Sequence, residues 1–567
     1  MARQRSRAPD LRLVVVALGL LAAWGGLGFR LFQVQAVRAE EFAELSLDQR
    51  LRRITLAADR GTIFDREGRQ LAVSVDSISV YASPREITDP DTVAQLVAPL
   101  LEVDPLPIAA RLQEGREQDS SFTYLARKLE RPQAERVVAA DIPGVYHLTE
   151  PKRVYPAGAL AAQVVGVVGS DNQGLEGLEL RYDEILSGSP GELLVERDPY
   201  GHIIPQGEYE AVPAEPGSDL VLTIDREIQF AAERALGTAL ARTEARGGTI
   251  VVIDPERGAV LAMANLPSFD PNQLDQAGSG ALRNRAVTDT FEPGSTQKLI
   301  TVSAALDAGV VKPGTIFEVP DHIEVWDKRY ADFAPHPTEP MTVAQIVAES
   351  SNVGTILIER ALGDEAYYRY LQAFGLGSPS GIDFPGEASG SLAAVEDWCG
   401  PCGASTSIGY GVSVTALQMA ATFATVANDG VWVQPHLVEE VFDGRGAVRP
   451  LEPASRRVVS ENTARTARLL LEGVVQGGTG ELARVEGYRV GGKTGTTVKY
   501  LPQYGRYGDD VVASFIGMAP VEDPKVVVAV MIDTPVRDTT GGRAAAPAFA
   551  EVMLFALHQL GVPPDAG

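Results

Sequence analysis

A turn that leads into a long apolar run places the strongest constraint on how this chain folds. The segment from Phe291 to Lys298 has the sequence FEPGSTQK, and a largely apolar run follows it to about Leu306. A proline–glycine pair before such a run predicts a buried helix that begins at Ser295. Lys298 follows three residues later, so its amine is expected on the same helical face as the Ser295 hydroxyl.

The pair Ser295 and Lys298 combines a nucleophile with a base. A serine hydroxyl attacks well only when a neighbouring group removes its proton, and a lysine shielded from water can be neutral enough to do so. The free N–H groups of the first helical turn would also lie near an oxyanion formed at Ser295. The alternative interpretation is a helix start with a serine cap and a solvated lysine. Two later motifs favour the catalytic interpretation.

The second motif, Glu349 to Gly354, has the sequence ESSNVG and places Ser350 two residues before Asn352. Upstream, Thr342 to Gln345 has the spacing of a capping box, so we predict that the motif lies in a turn between two helices. In a catalytic interpretation, Ser350 relays a proton to a leaving amine and Asn352 holds a substrate amide. Alternatively, both residues are ordinary helix caps.

The third motif, Val490 to Thr496, has the sequence VGGKTGT and lies in a predicted strand near the end of the chain. Clustered glycines in a strand indicate the close approach of another backbone. We predict that Lys493 supplies positive potential for a peptide carboxylate, while Thr494 and Thr496 supply hydroxyls beside the strand edge. The rival interpretation is a phosphate-binding loop, but the glycine spacing is wrong for one and a strand follows instead of a helix.

Composition excludes several other kinds of protein. The chain has 567 residues, 45% of them hydrophobic and 22% charged, which suits two or more globular domains. Its net charge is −25, with acidic residues along the whole chain, so a nucleic-acid partner is not expected. The six histidines are scattered, and none pairs with another histidine, a cysteine or a carboxylate at ligand spacing. We therefore expect no metal site and no cofactor.

An apolar run near the N-terminus, Leu13 to Phe29, follows four arginines among the first twelve residues. Its length is at the lower limit for a membrane-spanning helix and would also fit the core of a signal peptide. No small-residue cleavage pattern precedes Arg30, which favours an uncleaved anchor. We therefore predict a cytoplasmic tail at residues 1–12, a single transmembrane anchor in the cell membrane at residues 13–34, and export of everything after it.

Two regions follow the anchor. Residues 35–217 alternate short strands with polar helices and contain no nucleophile, metal or phosphate-loop motif, which predicts a structural module. In residues 218–563, a strand at 220–225, a helix at 226–244 and a hairpin at 249–264 come first, and strands return only near the end. This order predicts an α+β fold in which one antiparallel sheet lies beside a helical lobe, with a cleft between them.

The motifs S-x-x-K, S-x-N and K-T-G occur in this order in one family of serine enzymes. The chain resembles the penicillin-binding proteins, serine acyltransferases that act on the D-alanyl-D-alanine ends of peptidoglycan stem peptides and share a fold with the serine β-lactamases. The resemblance implies that Ser295 is the acylated nucleophile and Lys298 its base. It also implies an oxyanion hole formed by the backbone N–H groups of Ser295 and Thr496. The other functional residues that it implies are Ser350, Asn352, Lys493, Thr494 and Gly495.

Segments in residues 35–217 resemble the pedestal motifs of class B penicillin-binding proteins, which carry no glycosyltransferase. These segments are Arg60-Gly61, Asp65-Arg66, Arg153-x-Tyr155-Pro156, Gln173-Gly174-x-Glu176-Gly177 and Asp198-x-Tyr200-Gly201. The resemblance therefore implies an elongated, non-catalytic, dimerisation-like pedestal at residues 35–217 and a transpeptidase domain at residues 218–563.

The segments Phe291 to Lys298, Ser350 to Gly354 and Ala546-Pro547-x-Phe549 resemble the division-specific branch of class B, the FtsI type. The elongation branch usually has aspartate at the position of Asn352. This resemblance implies D,D-transpeptidation at the division septum and inhibition by β-lactams. It also implies that the protein acts beside an FtsW-type glycan polymerase and other divisome membrane proteins. The alternatives are an elongation-type transpeptidase and a catalytically weak divisome scaffold of the same fold.

Both cysteines of the chain lie in the sequence Trp398-Cys399-Gly400-Pro401-Cys402, which matches the active-site motif of thioredoxin. A thioredoxin fold needs a strand before this motif and a helix after it, whereas here the motif lies in a predicted Gly/Ala/Ser-rich loop. In an exported chain this pair favours a local disulfide between Cys399 and Cys402 that stiffens a loop near the cleft. Free or regulatory thiols are the main alternative, and a redox enzyme is the least favoured.

Overall fold

The computed structural model describes residues 11–38, 51–196, 209–443, 448–450, 452–501 and 504–565. The chain divides into two compact units. One unit comprises Met1–Ala58 with Ser189–Glu215, and the other comprises Asp59–Gly188 with Pro216–Gly567. All three sequence motifs, Phe291 to Lys298, Glu349 to Gly354 and Val490 to Thr496, lie in the second unit.

The first unit contains the N-terminal helix, Leu11–Phe32, which continues as a π-helical turn at Gln33–Val37. Over Leu11–Val37 this helix is long and apolar enough to cross a membrane, with a mean hydropathy of 1.9. Three antiparallel strands complete the described part of this unit: Leu51–Leu56, Gly191–Glu196 and Tyr209–Val212. Residues 1–10 and the predicted motif at 198–201 lie outside the described residues.

A seven-stranded sheet begins the second unit. Its strands are Val448–Pro450, Val438–Phe442, Asp219–Leu222, Ile63–Phe64, Gln70–Ala82, Thr123–Leu129 and Val145–Val154. Three helices share a core with it: Pro90–Leu101, Pro105–Glu117 and Arg131–Ala139. Each helix has a proline in its first turn, where no intrahelical N–H bond is lost, and Asp89 and Asp104 cap the first two.

The strand Asp219–Leu222 belongs to this sheet, where it runs parallel to Ile63–Phe64 and antiparallel to Val438–Phe442. We predicted that this strand would belong to the antiparallel sheet of residues 218–563, and that prediction was wrong. Leu220 and Leu222 are fully buried in their actual position. An alternating apolar pattern identifies a half-buried strand, but it does not specify which sheet the strand joins.

Five antiparallel strands form the second large sheet. Their spatial order is Val260–Leu266, Gly247–Ile253, Val526–Asp533, Arg506–Ala519 and Gly491–Leu501. Helices Arg226–Thr243 and Ala546–Gln559 cover one face, and helix Ala416–Ala427 covers the other. Neighbouring residues therefore enter different cores, Ile250 under the first two helices and Val251 under the third. The predicted hairpin, late strands and closing helix are confirmed.

The helical lobe surrounds a central helix, Lys298–Asp307, which is buried from its first residue to Ala305. Val302 and Ala305 pack in one core with three other helices of the lobe. The other helices of the lobe are Val343–Glu349, Asn352–Leu362, Asp364–Ala373, Cys402–Ser407, Ala416–Ala427 and Glu461–Gly477. The predicted pairing of an antiparallel sheet with a helical lobe is thus confirmed.

Short elements connect these layers. Two-stranded ladders pair Val167–Val168 with Gly174–Glu176, Thr290–Phe291 with Val414–Thr415, Ile316–Val319 with Glu339–Thr342, His322–Val325 with Lys328–Ala331, and Val431–Val433 with Ser455–Arg457. The short α-helices are Ala162–Val165, Gly177–Arg181, Asp183–Leu186, Arg285–Thr288 and Gly541–Ala544. The 3₁₀ turns are Pro84–Glu86, Pro271–Gln276, Gly294–Gln297, Val395–Asp397 and Glu481–Ala483.

Candidate active site

Ser295 lies in a 3₁₀ turn, Gly294–Gln297, that runs directly into the central helix. The predicted helix start is therefore a tighter turn, and the α-helix begins three residues later. Gly294 has a φ of +55°, and a Cβ there would collide with Thr497 Oγ1 of the neighbouring strand, so this position requires glycine. Its N–H donates to Gly409 O at 3.1 Å. These contacts hold a half-buried Ser295 in the wall of a cleft.

The Lys298 side chain is only 1% exposed. Its amine donates to Asn352 Oδ1 at 2.7 Å and to two atoms of Ser350, the carbonyl oxygen at 2.6 Å and Oγ at 3.3 Å. In the described part of the chain, no hydrogen bond joins this amine to the Ser295 hydroxyl. The Lys298 amine, which the sequence predicted beside Ser295, is therefore held by Ser350 and Asn352 of the second motif. Catalytic contacts are often long before substrate binds.

The second motif lies in the turn between two helices, as its sequence predicts. Thr342 to Gln345 form the predicted capping box of the first helix, which ends at Ser350 in the left-handed conformation, with a φ of 62°. Ser351 then caps the helix that begins at Asn352. This turn brings both Ser350 and Asn352 to the side-chain amine of Lys298, the first residue of the central helix.

Asp332 fixes the second motif, and no sequence motif pointed to it. One carboxylate oxygen accepts a hydrogen bond from Ser351 Oγ at 2.7 Å, and the other accepts from the backbone N–H groups of Asn352 and Val353. His336 Nε2 lies 3.1 Å from the same carboxylate. The pKa of His336 is raised, first by its hydrogen bond to a backbone carbonyl and then by Asp332. The carboxylate thus neutralises the N-terminus of the helix that carries Asn352.

Lys493 connects the third motif to the Ser350 hydroxyl, which also contacts Lys298. Its side chain is 1% exposed, and its amine donates to Ser350 Oγ at 2.8 Å. The next residue, Thr494, shares a hydrogen bond of 2.8 Å with Thr479 through their hydroxyls. Thr479 lies just after helix Glu461–Gly477, so the helical lobe contacts the edge strand at this point.

Gly495 and Thr496 complete the third motif. A Cβ on Gly495 would collide with Ser514 Oγ and lie 3.1 Å from Pro293 O, so glycine allows the turn before Ser295 to pack against the strand. The close backbone approach indicated by the glycines is therefore made in part by the chain itself. Thr496 is exposed, and its Oγ1 accepts a hydrogen bond from the Gly541 N–H at 3.0 Å.

The two buried lysines give the site its electrostatic character. Burial lowers the pKa of Lys493 to about 7. Burial lowers the pKa of Lys298 well below its usual value, repulsion from Lys493 lowers it further, and Asp332 opposes these effects. Because like charges disfavour each other, simultaneous protonation of both amines is disfavoured. A neutral amine can accept a proton, and the hydroxyl between the two amines can pass one on.

All three motifs line one cleft of about 890 Å³. The motif residues in its wall include Ser295, Ser350, Asn352, Thr494 and Thr496. The fully exposed ring of Phe333 and the exposed guanidinium of Arg543 also line it. An apolar ring and an exposed arginine suit a ligand that has both an apolar side chain and a carboxylate.

Cys399 and Cys402 form a disulfide, with Cα atoms 5.1 Å apart. The segment is not wholly a loop, because Cys402 begins a short helix, Cys402–Ser407. Within the described residues, no group of three or more His, Cys, Asp or Glu side chains could hold a metal ion.

Comparison with known proteins identifies the family. Residues 248–554 match the penicillin binding protein transpeptidase domain, and residues 55–222 match the penicillin-binding protein dimerisation domain. The chain belongs to the class B penicillin-binding proteins. It is 34% identical to penicillin-binding protein PbpB of Mycolicibacterium smegmatis, over 98% of this chain and 91% of that protein. It is also 34% identical to peptidoglycan D,D-transpeptidase FtsI of Escherichia coli, over 90% of this chain and 85% of that protein.

A solved structure supports the same assignment. The chain is similar to penicillin binding protein 3 of Mycobacterium tuberculosis complexed with aztreonam, with a TM-score of 0.72 and 31% identity over 90% of this chain and 98% of that chain. This class B penicillin-binding protein therefore has a transpeptidase domain of α+β fold, an N-terminal dimerisation region and one apolar helix that suits a single-pass anchor. It is a serine-type peptidoglycan transpeptidase, and the family predicted from the three motifs is confirmed.

Proposed function

We propose that this enzyme cross-links peptidoglycan stem peptides at the division septum through an acyl-enzyme on Ser295. One observation carries the catalytic part: the Ser350 hydroxyl lies between the buried amines of Lys298 and Lys493, and Ser295 lines the same cleft. Two amines with lowered pKa values and a bridging hydroxyl form a path along which a proton moves between a nucleophile and a leaving group.

In the acylation step, the Ser295 hydroxyl attacks the carbonyl carbon of the penultimate D-alanine and gives its proton to neutral Lys298. The backbone N–H groups of Ser295 and Thr496 stabilise the oxyanion. The C–N bond to the terminal D-alanine then breaks, and the leaving amine takes a proton from Ser350, which is reprotonated by the lysine pair. The products are an ester on Ser295 and free D-alanine.

The peptide is held between the edge strand and the second motif. The strand at Thr494, Gly495 and Thr496 pairs with the peptide backbone, while Lys493 and the exposed Arg543 attract its terminal carboxylate. Asn352 already uses its amide on Lys298 and on a backbone carbonyl. We therefore assign Asn352 first to holding the Lys298 amine. It can bind a substrate amide only after it gives up its hydrogen bond to Lys298 or to the Ala331 carbonyl.

The second step returns the acyl group to an amine. An amine of a neighbouring stem attacks the ester carbonyl, its proton passes to the lysine pair, and the Ser295 oxygen leaves and is reprotonated. A β-lactam acylates Ser295 in the same way, but its leaving nitrogen stays tethered to the acyl group, so the adduct persists.

The cellular setting is part of this proposal. We assign residues 1–12 to the cytoplasm, residues 13–34 to the membrane, residues 35–217 to a pedestal and residues 218–563 to an exported transpeptidase domain. The division role rests on the likeness to FtsI and on Asn352, and it implies an FtsW-type glycan polymerase and other divisome proteins as partners.

Intact mass spectrometry after treatment with benzylpenicillin tests the catalytic part. We expect one persistent adduct, with the mass of the whole drug, on the parent chain and none on a Ser295→Ala variant. The matched control is Ser303→Ala, because Ser303 lies on the central helix but is fully buried. An adduct on Ser295→Ala, or no adduct on the folded parent, would contradict the assignment.

Depletion in the native cell tests the division role. We expect filaments or chains of undivided cells, and a fluorescent fusion at midcell. Loss of rod shape without a division block would instead indicate the elongation-type enzyme. Normal division supported by Ser295→Ala would indicate a scaffold.

A further inference from the structure

The disulfide is not used in the proposed reaction, and its two cysteine residues differ in exposure. Cys399 is exposed, whereas Cys402 is half-buried and is the first residue of helix Cys402–Ser407. An incoming thiolate therefore reaches the Cys399 sulfur first, and Cys402 is the sulfur that would leave. This asymmetry suits exchange chemistry more than a purely structural staple.

A buried carboxyl group, Glu359, and an exposed one, Asp364, lie beside Gly403, the residue that follows Cys402. Glu359 is 2% exposed and faces Asp364, and its Oε1 is buried without a hydrogen-bond partner. A Cβ on Gly403, the residue after Cys402, would collide with the Asp364 carboxylate and lie 3.0 Å from Glu359 Oε1. Burial, and then Asp364, raise the pKa of Glu359 to about 8, although Arg360 opposes them. Glu359 therefore carries a proton at neutral pH.

The loop also borders a cavity of about 460 Å³. Gly400 lies in its wall with Trp326, Glu359 and Asp364. The Trp326 side chain is 82% exposed, and a Cβ on Gly400 would collide with its ring. An exposed aromatic side chain against the loop that carries Cys399 is the kind of surface on which another protein docks.

Two structural links join the disulfide to the active site. Along the chain, helix Cys402–Ser407 leads to Ile408 and Tyr410 in the cleft wall and to Gly409 O, which accepts the Gly294 N–H. Across the fold, Trp326 turns the hairpin that ends at Ala331, whose carbonyl accepts the Asn352 amide at 2.9 Å.

The Tyr330 hydroxyl connects the hairpin to the disulfide loop and to the helix that follows it. Tyr330 lies in the hairpin, and its hydroxyl bonds to Ser405 Oγ and, at 3.2 Å, to Pro401 O. Opening the disulfide would release the loop that both elements contact.

We propose that Cys399–Cys402 is a thiol–disulfide exchange site for an exported protein dithiol of the thioredoxin class, and that its redox state sets the active-site wall. A thiolate of the partner attacks Cys399 Sγ, the S–S bond breaks, and Cys402 Sγ leaves with the electron pair and takes a proton supplied by Glu359. The second thiolate of the partner then attacks its own sulfur in the mixed disulfide and expels Cys399, which is protonated by water. The chain gains two electrons, and the partner is oxidised to a disulfide.

Trapping tests the exchange step. The oxidised full-length chain is mixed with a thioredoxin whose second active-site cysteine is replaced by serine, and the reaction is quenched with N-ethylmaleimide. Peptide mass spectrometry should find the trap on Cys399 and maleimide on Cys402. Attachment to Cys402, or no attachment under conditions in which dithiothreitol opens the bond, would overturn the proposal.

A second variant tests the proton source. Glu359→Gln should be reduced by the intact thioredoxin more slowly at pH 7, by roughly tenfold or more. The matched control is Glu365→Gln, an acidic side chain on the surface of the helix that follows. An unchanged rate for Glu359→Gln would overturn the assignment of Glu359.

Acylation by benzylpenicillin tests the coupling, and this readout rests on the proposed function. Reduction should change the acylation rate by roughly two- to thirtyfold. The Cys399→Ser, Cys402→Ser double variant should not respond to the reductant, which controls for thiol attack on the drug. Equal rates for the oxidised and reduced parent would overturn the coupling. Failure of both forms to acylate would count against Ser295, whereas the trapping result stands independently.

Discussion

Two of the places where the second unit buries ionisable side chains differ in how those side chains are paired. Glu179 is fully buried between Arg60 and Arg153, whose Nε atoms lie 2.5 Å and 2.7 Å from its two carboxylate oxygens. In the active site, Lys298 and Lys493 share one hydroxyl, and neither forms a salt bridge within the described residues. One cluster joins opposite charges, whereas the other brings like charges together.

The pairing separates a structural cluster from a chemical one. Arg60 also donates to Asn172 O at 3.1 Å and to Asp183 Oδ1 at 2.6 Å, and Arg153 donates to Gly61 O at 2.8 Å. Motifs that read as separate turns in the sequence therefore meet at Glu179. Opposite charges that satisfy one another hold a fold, whereas unpaired buried amines have lowered pKa values that suit proton transfer.

Removing an active-site amine should have the largest effect. We expect Lys298→Met to lower the rate of acylation by benzylpenicillin by about 10²- to 10⁴-fold, because the base is lost. Its free energy of unfolding should change little, since the loss of the hydrogen bonds of the amine is opposed by the removal of a buried polar group. Stopped-flow acylation and urea unfolding measure the two quantities. Lys525→Met, a surface variant, is the control, and equal acylation rates for the two variants would contradict this view of Lys298.

Removing the shared carboxylate of the paired cluster should have the opposite pattern. Glu179→Gln leaves two buried guanidinium groups facing a neutral amide, which we expect to lower the free energy of unfolding by about 3–5 kcal/mol. The folded fraction should still acylate at the parent rate. Glu135→Gln, which breaks the exposed pair with Arg131, is the control and should have no measurable effect. Slow acylation by well-folded Glu179→Gln would show that this cluster is not purely structural.

Asp332 contributes to the chemical cluster mainly by positioning the second motif, and a matched aspartate tests this. Asp332→Asn should lower the acylation rate by roughly tenfold to a hundredfold, because Asn352 and Ser350 shift away from the lysines. Asp307 likewise accepts a backbone hydrogen bond at a helix N-terminus, from Ser460 N at 2.8 Å, but it lies at the far end of the central helix. Asp307→Asn should lose a similar amount of stability and retain its acylation rate. Similar acylation losses in both variants would point to general destabilisation.

The sequence could predict features that depend on a local pattern of residues, but not features that depend on contacts between distant segments. Ser295, Lys298, Ser350 and Lys493 are found from spacing because each motif is a few residues long and the three occur in a fixed order. Helix and strand positions follow from apolar periodicity. Spacing alone did not reveal that the Lys298 amine bonds to Ser350 and Asn352 in the second motif instead of to the Ser295 hydroxyl.

Contacts between distant segments could not be predicted. Asp332 reaches Asn352 only because a hairpin folds back on the helix N-terminus, and a lone aspartate in a loop has no periodicity that reveals this. Glu179 lies in the short helix Gly177–Arg181, where nothing in the pattern links it to Arg60. The strand Asp219–Leu222 was placed in the wrong sheet for the same reason. Each of these outcomes is decided by tertiary packing.

The pH dependence of stability tests the charge of Lys493 itself. The folded chain binds this proton with a pKa of about 7, whereas an unfolded lysine has a pKa of about 10.4. Between these values the unfolded state binds more protons, so the free energy of unfolding should rise with pH, by at most about 1.4 kcal/mol per pH unit. Below pH 7 both states are protonated, and this contribution is flat.

Urea unfolding of the parent and of Lys493→Met at pH 7, 8 and 9 measures that contribution together with the accompanying change at Lys298, whose pKa rises when the repulsion from Lys493 is removed, while distant titrating groups cancel in the difference. We expect the parent to gain stability relative to the variant as the pH rises. Glu179→Gln should keep the parent slope, since its cluster contains no lysine. Parallel curves for the parent and Lys493→Met would mean that Lys493 keeps its proton in the folded state up to pH 9. It would then be a paired charge of the structural kind, and the contrast between the two clusters would fail at this residue.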